Sequence, residues 1–180
     1  MFRAGFALLL SGVLVLSLWA GKPTPVSAQS FTAFPPILMA KGKSLFSFAG
    51  TRPTNLGVKD GKLLACPSTP NCVNSQTDAA DKEHAIAPLR FSSDPDQAIA
   101  NLKAVIHSME RAEILNADNH YLYAEFTSPF MGFVDDVEFF LDEAAGVIHV
   151  RSASRLGASD LGVNRKRVEA IRAAFRALED

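Results

Sequence analysis

The stretch AEILNADNHYLYAEFTSPFMGFVDDVEFFLDEAAGVIHVRSAS, residues 112–154, decides the fold of this 180-residue chain. Apolar and polar side chains alternate along it in short runs, and alternation with a period of two is typical of strands that bury one face. Turn-forming residues separate the runs, which cover 112–115, 121–127, 133–142 and 147–154. Because short connections favour antiparallel neighbours, the stretch predicts a four-stranded antiparallel meander.

Amphipathic helices are predicted on both sides of this stretch. Ser93-Asp94-Pro95 is typical of a helix start, and the apolar positions that follow share one face: Ala98, Leu102, Val105, Ile106 and Met109. After the strands, Asp160 or Asn164 is expected to cap a second helix. Its apolar stripe consists of Val168, Ile171, Phe175 and Leu178. The pattern predicts an α+β domain in which both helices pack on one face of the sheet.

The polar sides of the predicted strands bring charged residues together. If the apolar sides meet the helices, Glu125, Glu138 and Arg151 share the opposite surface. They form either a site or ordinary cross-strand pairs on a solvated face, which contribute about 0.2–1 kcal/mol each. Asp135 and Asp136 add two further carboxylates, and crowded acids suit proton transfer or a divalent cation. Adjacent residues of a regular strand point to opposite faces, however, so these two are not expected to serve one ion.

A second candidate site lies where the last strand leads into the second helix. Hydroxyl, guanidinium and backbone N–H groups gather there, and they are suited to an anion such as a carboxylate or a phosphate headgroup. The predicted binding residues are Arg151, Ser152, Ser154, Arg155, Asp160, Asn164 and Arg165. The alternative is a capped, salt-bridged helix entry. A weak catalytic set consists of Asp135, Asp136, Glu138 and His149.

Residues 1–28 have the pattern of a secretory signal peptide. Arg3 precedes an apolar run from Ala4 to Ala20, and Val26-Ser27-Ala28 fits a cleavage site. The alternative is an uncleaved anchor, since the run approaches the about 17–25 residues that span a bilayer. Cleavage would remove two positive charges and no acid, which changes the net charge from −1 to −3 (−1 − 2). That charge argues against nucleic-acid binding.

Residues 29–65 follow neither period and are predicted to form an extended arm. Its phenylalanines, at 31, 34, 46 and 48, are expected to pack on the same chain, with a membrane surface or a partner as the alternative. Cys66 and Cys72 come next. In an oxidising compartment this pair indicates a disulfide that closes a small loop, whereas a metal site or a redox pair is the alternative.

Four motifs carry a family resemblance: CPSTPNCV at 66–73, FVDDVEF at 133–139, IHVRSASR at 148–155 and SDLGVNR at 159–165. Together they resemble the uncharacterised family DUF1499, over about Leu64 to Leu178, with Thr69 as a mild departure from its more usual C-P-x-S-P-N-C. The resemblance implies a single domain, residues 66–180, of a family that is often exported or membrane-associated and has no established activity. The arm is similar to that of cyanobacterial members, which implies the periplasm or the thylakoid lumen. The resemblance assigns no catalytic residue.

These patterns are compatible with two functions. The favoured one is a non-enzymatic binding or accessory protein that docks, through the arm or the charged surface, to a membrane complex or an envelope component. The alternative is a carboxylate-based or metal-dependent hydrolase that uses the weak catalytic set. The sequence contains no G-x-S-x-G, H-E-x-x-H, C-x-x-C or Walker motif, and no cofactor or metal ligand set is predicted.

Overall fold

A six-stranded antiparallel sheet with two helices forms the domain in the computed structural model, which describes residues 47–180. In chain order the elements are β1 (Cys72–Asn74), β2 (Leu89–Arg90), α1 (Pro95–Ser108), β3 (Ala112–Ala117), β4 (Tyr121–Thr127), β5 (Val134–Asp142), β6 (Val147–Ser154) and α2 (Val163–Glu179). The strand order is β1-β6-β5-β4-β3, and β2 also pairs with β6. The predicted α+β class, the meander from β3 to β6 and the two helices are confirmed.

The predicted strand count of four is wrong, because two short strands, β1 and β2, lie before α1, where no strand is predicted. Cys72 pairs with Ala153 and Leu89 pairs with Ile148, so both short strands extend the sheet beyond β6. Two or three residues are too few to show an alternating pattern, and these strands exist because β6 offers them a free edge. The sheet is therefore a meander with two added strands from the amino-terminal side.

The first helix forms as its start signal predicts. The Asp94 carboxylate accepts a hydrogen bond from the Gln97 backbone N–H at 2.9 Å, and Pro95 occupies the first turn, where its missing N–H costs nothing. Its buried face contains Ala98, Ile99, Leu102, Val105 and Ile106, with Met109 packed against the edge of the core. This face meets the apolar side of the sheet.

The second helix begins one turn after the capping residue that the sequence indicates. The Asp160 carboxylate accepts from the backbone N–H groups of Gly162 at 2.9 Å and Asn164 at 2.7 Å. Asn164 is not a cap, because it lies within the helix with its side chain fully buried. Val168, Ile171 and Phe175 enter the core as predicted, whereas Leu178 is wrong as a core position: it is 51% exposed.

The core fills the space between the helices and one face of the sheet. Its strand residues are those predicted to face the helices, including Leu122, Val137, Phe139, Ile148 and Val150. Burying such side chains stabilises a domain by about 1.5–3 kcal/mol each relative to leaving them exposed. The helices thus cover only this face of the sheet.

The described part of the arm covers that other face. The Phe48 N–H donates to the Met131 carbonyl at 3.2 Å, and the Phe48 ring lies 5.6 Å from that of Phe133. Gly50 passes so close to β6 that a Cβ there would lie 3.0 Å from the Arg155 Cβ, at a φ of +65° that favours glycine. Packing of Phe48 on its own chain is therefore observed. The proposed signal peptide and residues 29–46 of the arm lie outside the described residues.

Candidate functional site

Charged side chains and two tyrosines occupy the arm-covered face of the sheet. They form what we call the ion cluster: Tyr121, Tyr123, Glu125, Asp136, Glu138, Arg151 and Arg155. Strand register brings them together, since Glu125 is opposite Asp136 on β4 and β5, and Glu138 is opposite Arg151 on β5 and β6. Glu125, Glu138 and Arg151 therefore share one face, as predicted. They are not on a solvated surface.

Glu138 is the most deeply buried member of the ion cluster, with 0% of its surface exposed. Its Oε1 accepts from the Gly57 backbone N–H at 2.7 Å and from the Tyr121 hydroxyl at 2.9 Å, and Arg151 Nη1 lies 3.4 Å from its Oε2. Burial is the main reason why the pKa of Tyr121 is raised, and the neighbouring carboxylate adds to it. Tyr121 is thus held as a neutral donor to the carboxylate.

Arg155 links the other two carboxylates of the ion cluster. Its Nε and Nη2 reach the two Asp136 oxygens at 2.9 and 2.7 Å, and Nη2 also contacts Glu125. Such a fork on a carboxylate is the strong form of ion pair, and the hydrogen bond to Asp136 is the largest cause of the raised pKa of Arg155. The Tyr123 hydroxyl donates to Asp136 at 2.6 Å, and burial raises the pKa of Tyr123. Each carboxylate therefore has internal partners.

Residues 49–57 of the arm close the ion cluster from outside. Arg52 Nε lies 2.5 Å from Glu125 Oε1, Arg155 Nη1 donates to the Ala49 carbonyl at 3.5 Å, and Gly57 caps Glu138. Arg151 beneath them is nearly buried, and that burial lowers its pKa from the usual value. Its Nε is buried and has no hydrogen-bond partner among the described residues.

A second polar group, the amide cluster, lies on the helix-covered face near the end of β6: Asn71, Asp135, Ser152, Ser154, Asn164 and Arg167. Asn164 is at its centre. Its Oδ1 accepts from Ser152 Oγ at 2.5 Å and Arg167 Nη1 at 2.7 Å, while its Nδ2 donates to Ser154 Oγ at 2.9 Å and to the Asn71 carbonyl at 3.1 Å. This amide joins α2, β6 and the chain beside β1.

Arg167 completes the amide cluster by pairing with Asp135. Its guanidinium carbon also lies 4.9 Å from the centre of the Phe126 ring, within the range of a cation–π contact. Asp135 and Asp136 therefore serve different clusters on opposite faces of β5, in agreement with the strand geometry. The three crowded carboxylates of the sequence do not converge on one point.

The predicted anion-binding residues are divided between the two faces. Arg151 and Arg155 belong to the ion cluster, Ser152, Ser154 and Asn164 belong to the amide cluster, and Asp160 caps α2. Arg165 is elsewhere and donates to the carbonyls of Lys82 at 3.3 Å and Glu83 at 3.0 Å. An anion site formed by all seven remains a prediction that their positions do not favour.

His149, the fourth member of the weak catalytic set, stands apart from the carboxylates of the ion cluster. Its Nδ1 lies 3.2 Å from Ser75 Oγ, its Nε2 lies 3.7 Å from Asp142, and its ring stacks on Phe140. Burial lowers the pKa of this imidazole. Across residues 47–180, no three His, Cys, Asp or Glu side chains are placed to hold a metal ion together.

The cysteine loop carries a polar centre that sequence reasoning missed. Cys66 and Cys72 form the disulfide that was predicted. Beside it the His84 ring lies 2.8 Å from Asp81 Oδ2 through Nδ1 and 3.2 Å from the Thr69 carbonyl through Nε2. Both partners are acceptors, so both nitrogens donate when the ring is protonated, and the hydrogen bond to Asp81 is the main cause of its raised pKa.

Other residues were missed because their partners are far away in sequence. Arg52, Gly57 and Asn71 contact groups more than seventy positions later in the chain, at Glu125, Glu138 and Gly157. No local pattern identifies such a residue. The family motif did include Asn71, but it assigned no role to it.

A membrane-spanning helix is not seen in the described part of the chain: neither α1 nor α2 is long and apolar enough. No curated protein matches the sequence. The sequence model of a family described as a protein of unknown function, DUF1499, matches residues 62–175. The match spans both polar clusters and every strand and helix except the last few residues of α2. The chain therefore belongs to the DUF1499 family.

Proposed function

We propose that this protein is an exported, non-enzymatic binding or accessory protein that docks to a membrane complex or an envelope component, in the periplasm or the thylakoid lumen. The signal-like residues 1–28 motivate the export, and the disulfide between Cys66 and Cys72 supports an oxidising destination. The proposal assigns the domain a scaffold role. Its contact surface would lie outside the ion cluster.

The observation that carries this proposal is the sealed state of the ion cluster. A general acid or base must come within hydrogen-bond reach of a substrate, about 2.6–3.2 Å between heavy atoms. Glu138 is fully buried under Gly57, Asp136 is held by the fork of Arg155, and Glu125 is held by Arg52 and Arg155. Paired and covered carboxylates of this kind offer no open position to a reactant.

The hydrolase alternative needs the arm to leave the sheet, because only then would the carboxylates of the ion cluster meet solvent. It also needs His149 to approach them, although that ring is engaged with Ser75 and Asp142. Neither requirement is met by the observed contacts. The docking proposal needs no rearrangement.

The proposal is tested by locating the tagged full chain in cell fractions and cross-linking it in washed native membranes. A matched variant replaces residues 29–46 with a glycine–serine linker of equal length, which keeps every described contact of residues 47–57. We expect the native chain to cross-link to one defined envelope component and the linker variant to lose most of that product. Absence of the native chain from the membrane fraction would contradict the docking role.

The enzymatic alternative has its own control. Glu138→Gln keeps the shape of the side chain and an oxygen to accept from Gly57 and Tyr121, but it removes the carboxylate. If a hydrolytic activity is found in the purified chain and Glu138→Gln abolishes it without lowering the melting temperature, the non-enzymatic proposal is wrong.

A further inference from the structure

Exposed large apolar side chains are concentrated at one end of the domain. Seven lie there and form what we call the apolar end: Phe48, Phe130, Met131, Phe133, Leu156, Leu161 and Val163. Three others, Val58, Leu64 and Leu178, are the only remaining exposed large hydrophobic residues within 47–180. Single exposed apolar residues are ordinary, but a concentration of this kind marks a contact surface.

The topology explains why these residues meet. The β4–β5 loop, residues 128–133, and the β6–α2 loop, residues 155–162, are neighbours because Asp135 at the start of β5 pairs with Ser154 at the end of β6. A groove of about 180 Å³ between them is lined by Phe133, Leu156 and Val163. The arm adds the Phe48 ring against Phe133.

Two side chains project furthest from this end. Phe130 is 77% exposed and Leu161 is 87% exposed, each near the tip of its loop. Leu161 also has a φ of +54°, in the left-handed region that a bulky residue rarely adopts. The turn through Leu161 lets Asp160 accept from the N–H groups of Gly162 and Asn164, but the exposed leucine side chain adds no packing to the isolated domain. Its exposure is understandable if the leucine is buried when the domain is docked.

The acidic residues at the apolar end have partners within the domain. Asp135 pairs with Arg167, and the Asp160 carboxylate accepts from two backbone N–H groups. By contrast, Lys166 is exposed in the first turn of α2 and has no acidic partner among residues 47–180, whereas Arg165 donates to the carbonyls of Lys82 and Glu83. The sequence that leads into this end, residues 29–46, contains Lys41 and Lys43 and no acidic residue, and it is rich in phenylalanine and aliphatic side chains. Apolar tips beside an exposed lysine, in a chain that carries two more lysines just before the described residues, are complementary to an anionic lipid surface.

We infer that the apolar end inserts Phe130 and Leu161 into the headgroup–acyl boundary of an anionic lipid bilayer. The inference rests on the docking function proposed above and names its target as lipid. Each of these side chains would transfer its apolar area from water into lipid, an affinity gain of about tenfold or more per side chain. The strain at Leu161 is then tolerated because the docked state uses it.

The test places a tryptophan at the tip in the full chain. Trp19 is the only tryptophan, so Phe130→Trp in a Trp19→Phe background gives a single reporter, and Leu178→Trp in the same background is the matched control. Leu178 is exposed too, but it lies at the opposite end of α2. Both chains are reconstituted in vesicles of phosphatidylcholine alone or with phosphatidylglycerol, with and without bromine on the acyl chains. If residues 4–20 anchor the chain in the lipid, they do so equally in both variants.

We expect brominated lipid to quench the reporter at 130 several-fold more than the reporter at 178, and more strongly when phosphatidylglycerol is present. Leu161→Ala should reduce the quenching at 130 without changing the melting temperature, because this side chain is exposed in the isolated domain. Equal quenching at the two positions would overturn the inference. So would a change in emission that requires membrane proteins and is absent with pure lipid, which would identify the apolar end as a protein interface. Either result leaves the docking function standing if the native chain still cross-links in native membranes.

Discussion

The two faces of the sheet are both buried, but different forces bury them. The helices cover one face with aliphatic and aromatic side chains such as Leu122, Phe139 and Val150. The arm covers the other with few apolar contacts, and its residues instead meet charges, as in Arg52 with Glu125 and Gly57 with Glu138. The helix face is held by the hydrophobic effect, whereas the arm face is held by mutual satisfaction of polar groups.

This difference predicts different responses to substitution. An apolar core tolerates change in proportion to the volume and area removed. A buried charge network tolerates the loss of both members of a pair better than the loss of one, because a single charge left without its partner must be desolvated alone. The predictions below use that contrast, beginning with the largest expected effect.

Phe139→Ala is expected to lower the free energy of unfolding by about 3–5 kcal/mol, since it removes a fully buried ring and leaves a cavity. The matched control is Phe140→Ala, one position along β5 on the arm-covered face, where the ring is only partly buried and stacks on His149. Urea unfolding of both variants measures the difference. Equal losses would contradict the assignment of the core to the helix face.

Glu138→Ala is expected to cost about 3 kcal/mol, because it leaves the buried Arg151 guanidinium without its carboxylate. We place it at the low end of the range for broken buried pairs because the Nη1–Oε2 distance is long, at 3.4 Å. A double variant, Glu138→Leu with Arg151→Met, should regain much of the loss. A double variant less stable than either single change would contradict an unpaired buried charge as the cause of the loss.

Replacing Cys66 and Cys72 with serine removes a cross-link at the start of β1 and is expected to cost about 2 kcal/mol, since the disulfide closes a very short loop. Thermal melting with and without reductant measures it, and the serine variant should show no further effect of reductant. A loss as large as that of Phe139→Ala would mean that the loop organises β1 and β6 as well as itself.

The pH dependence of stability should contain a contribution from His84. Its pKa is raised in the folded chain, chiefly by the hydrogen bond to Asp81, so the contribution is fully present below the unfolded value of 6.5 and is lost as pH rises through the folded pKa. His149 acts in the opposite direction, since burial lowers its pKa and its protonation at low pH disfavours the fold. Both the native chain and His84→Gln contain His149, so its contribution drops out of the difference between their melting temperatures. That difference should shrink from pH 6 to pH 8, and a difference that grows over this range would refute the pairing.

Arg52→Ala should have the smallest effect. Its side chain is largely exposed, and Glu125 keeps its contacts with Arg155 and Tyr123 when Arg52 is absent. Unfolding by urea should be unchanged within error, whereas hydrogen exchange of the Gly57 amide should accelerate if Arg52 helps to hold the arm. A large loss of global stability would mean that the arm-covered face depends on this one surface pair.

Much of the fold could be predicted because its signals are local. Alternation along β4 to β6 identified both faces of the sheet correctly, and Asp94-Pro95 identified the start of α1. The strands β1 and β2 could not be found this way, since their pairing with β6 is set by an edge that lies far along the chain. Leu178 fits the spacing of the apolar stripe of α2, but it lies beyond the end of the core, so its side chain is exposed.

The candidate site is harder to predict than the fold, because alternation identifies a polar face of the sheet but does not show what covers that face. Glu138 and Arg151 were placed on the correct face, but a period of two does not say whether that face meets water or another segment. The anion site predicted around Arg151 to Arg155 is divided, because the odd and even positions of this run face opposite sides of the sheet. The same geometric rule that separated Asp135 from Asp136 divides this run.

The strand order has a consequence for how the chain is made. The earliest strand, Cys72–Asn74, pairs with the last one, and Cys72 finds its register opposite Ala153. A chain exported amino end first would reach an oxidising compartment with Cys66 and Cys72 ahead of β6, so its disulfide could close while β1 still has no partner. Contacts this distant in sequence also form slowly. Until β6 has arrived, β1 and β2 have no strand to pair with and β5 keeps one edge unpaired, which is the kind of open edge that favours aggregation.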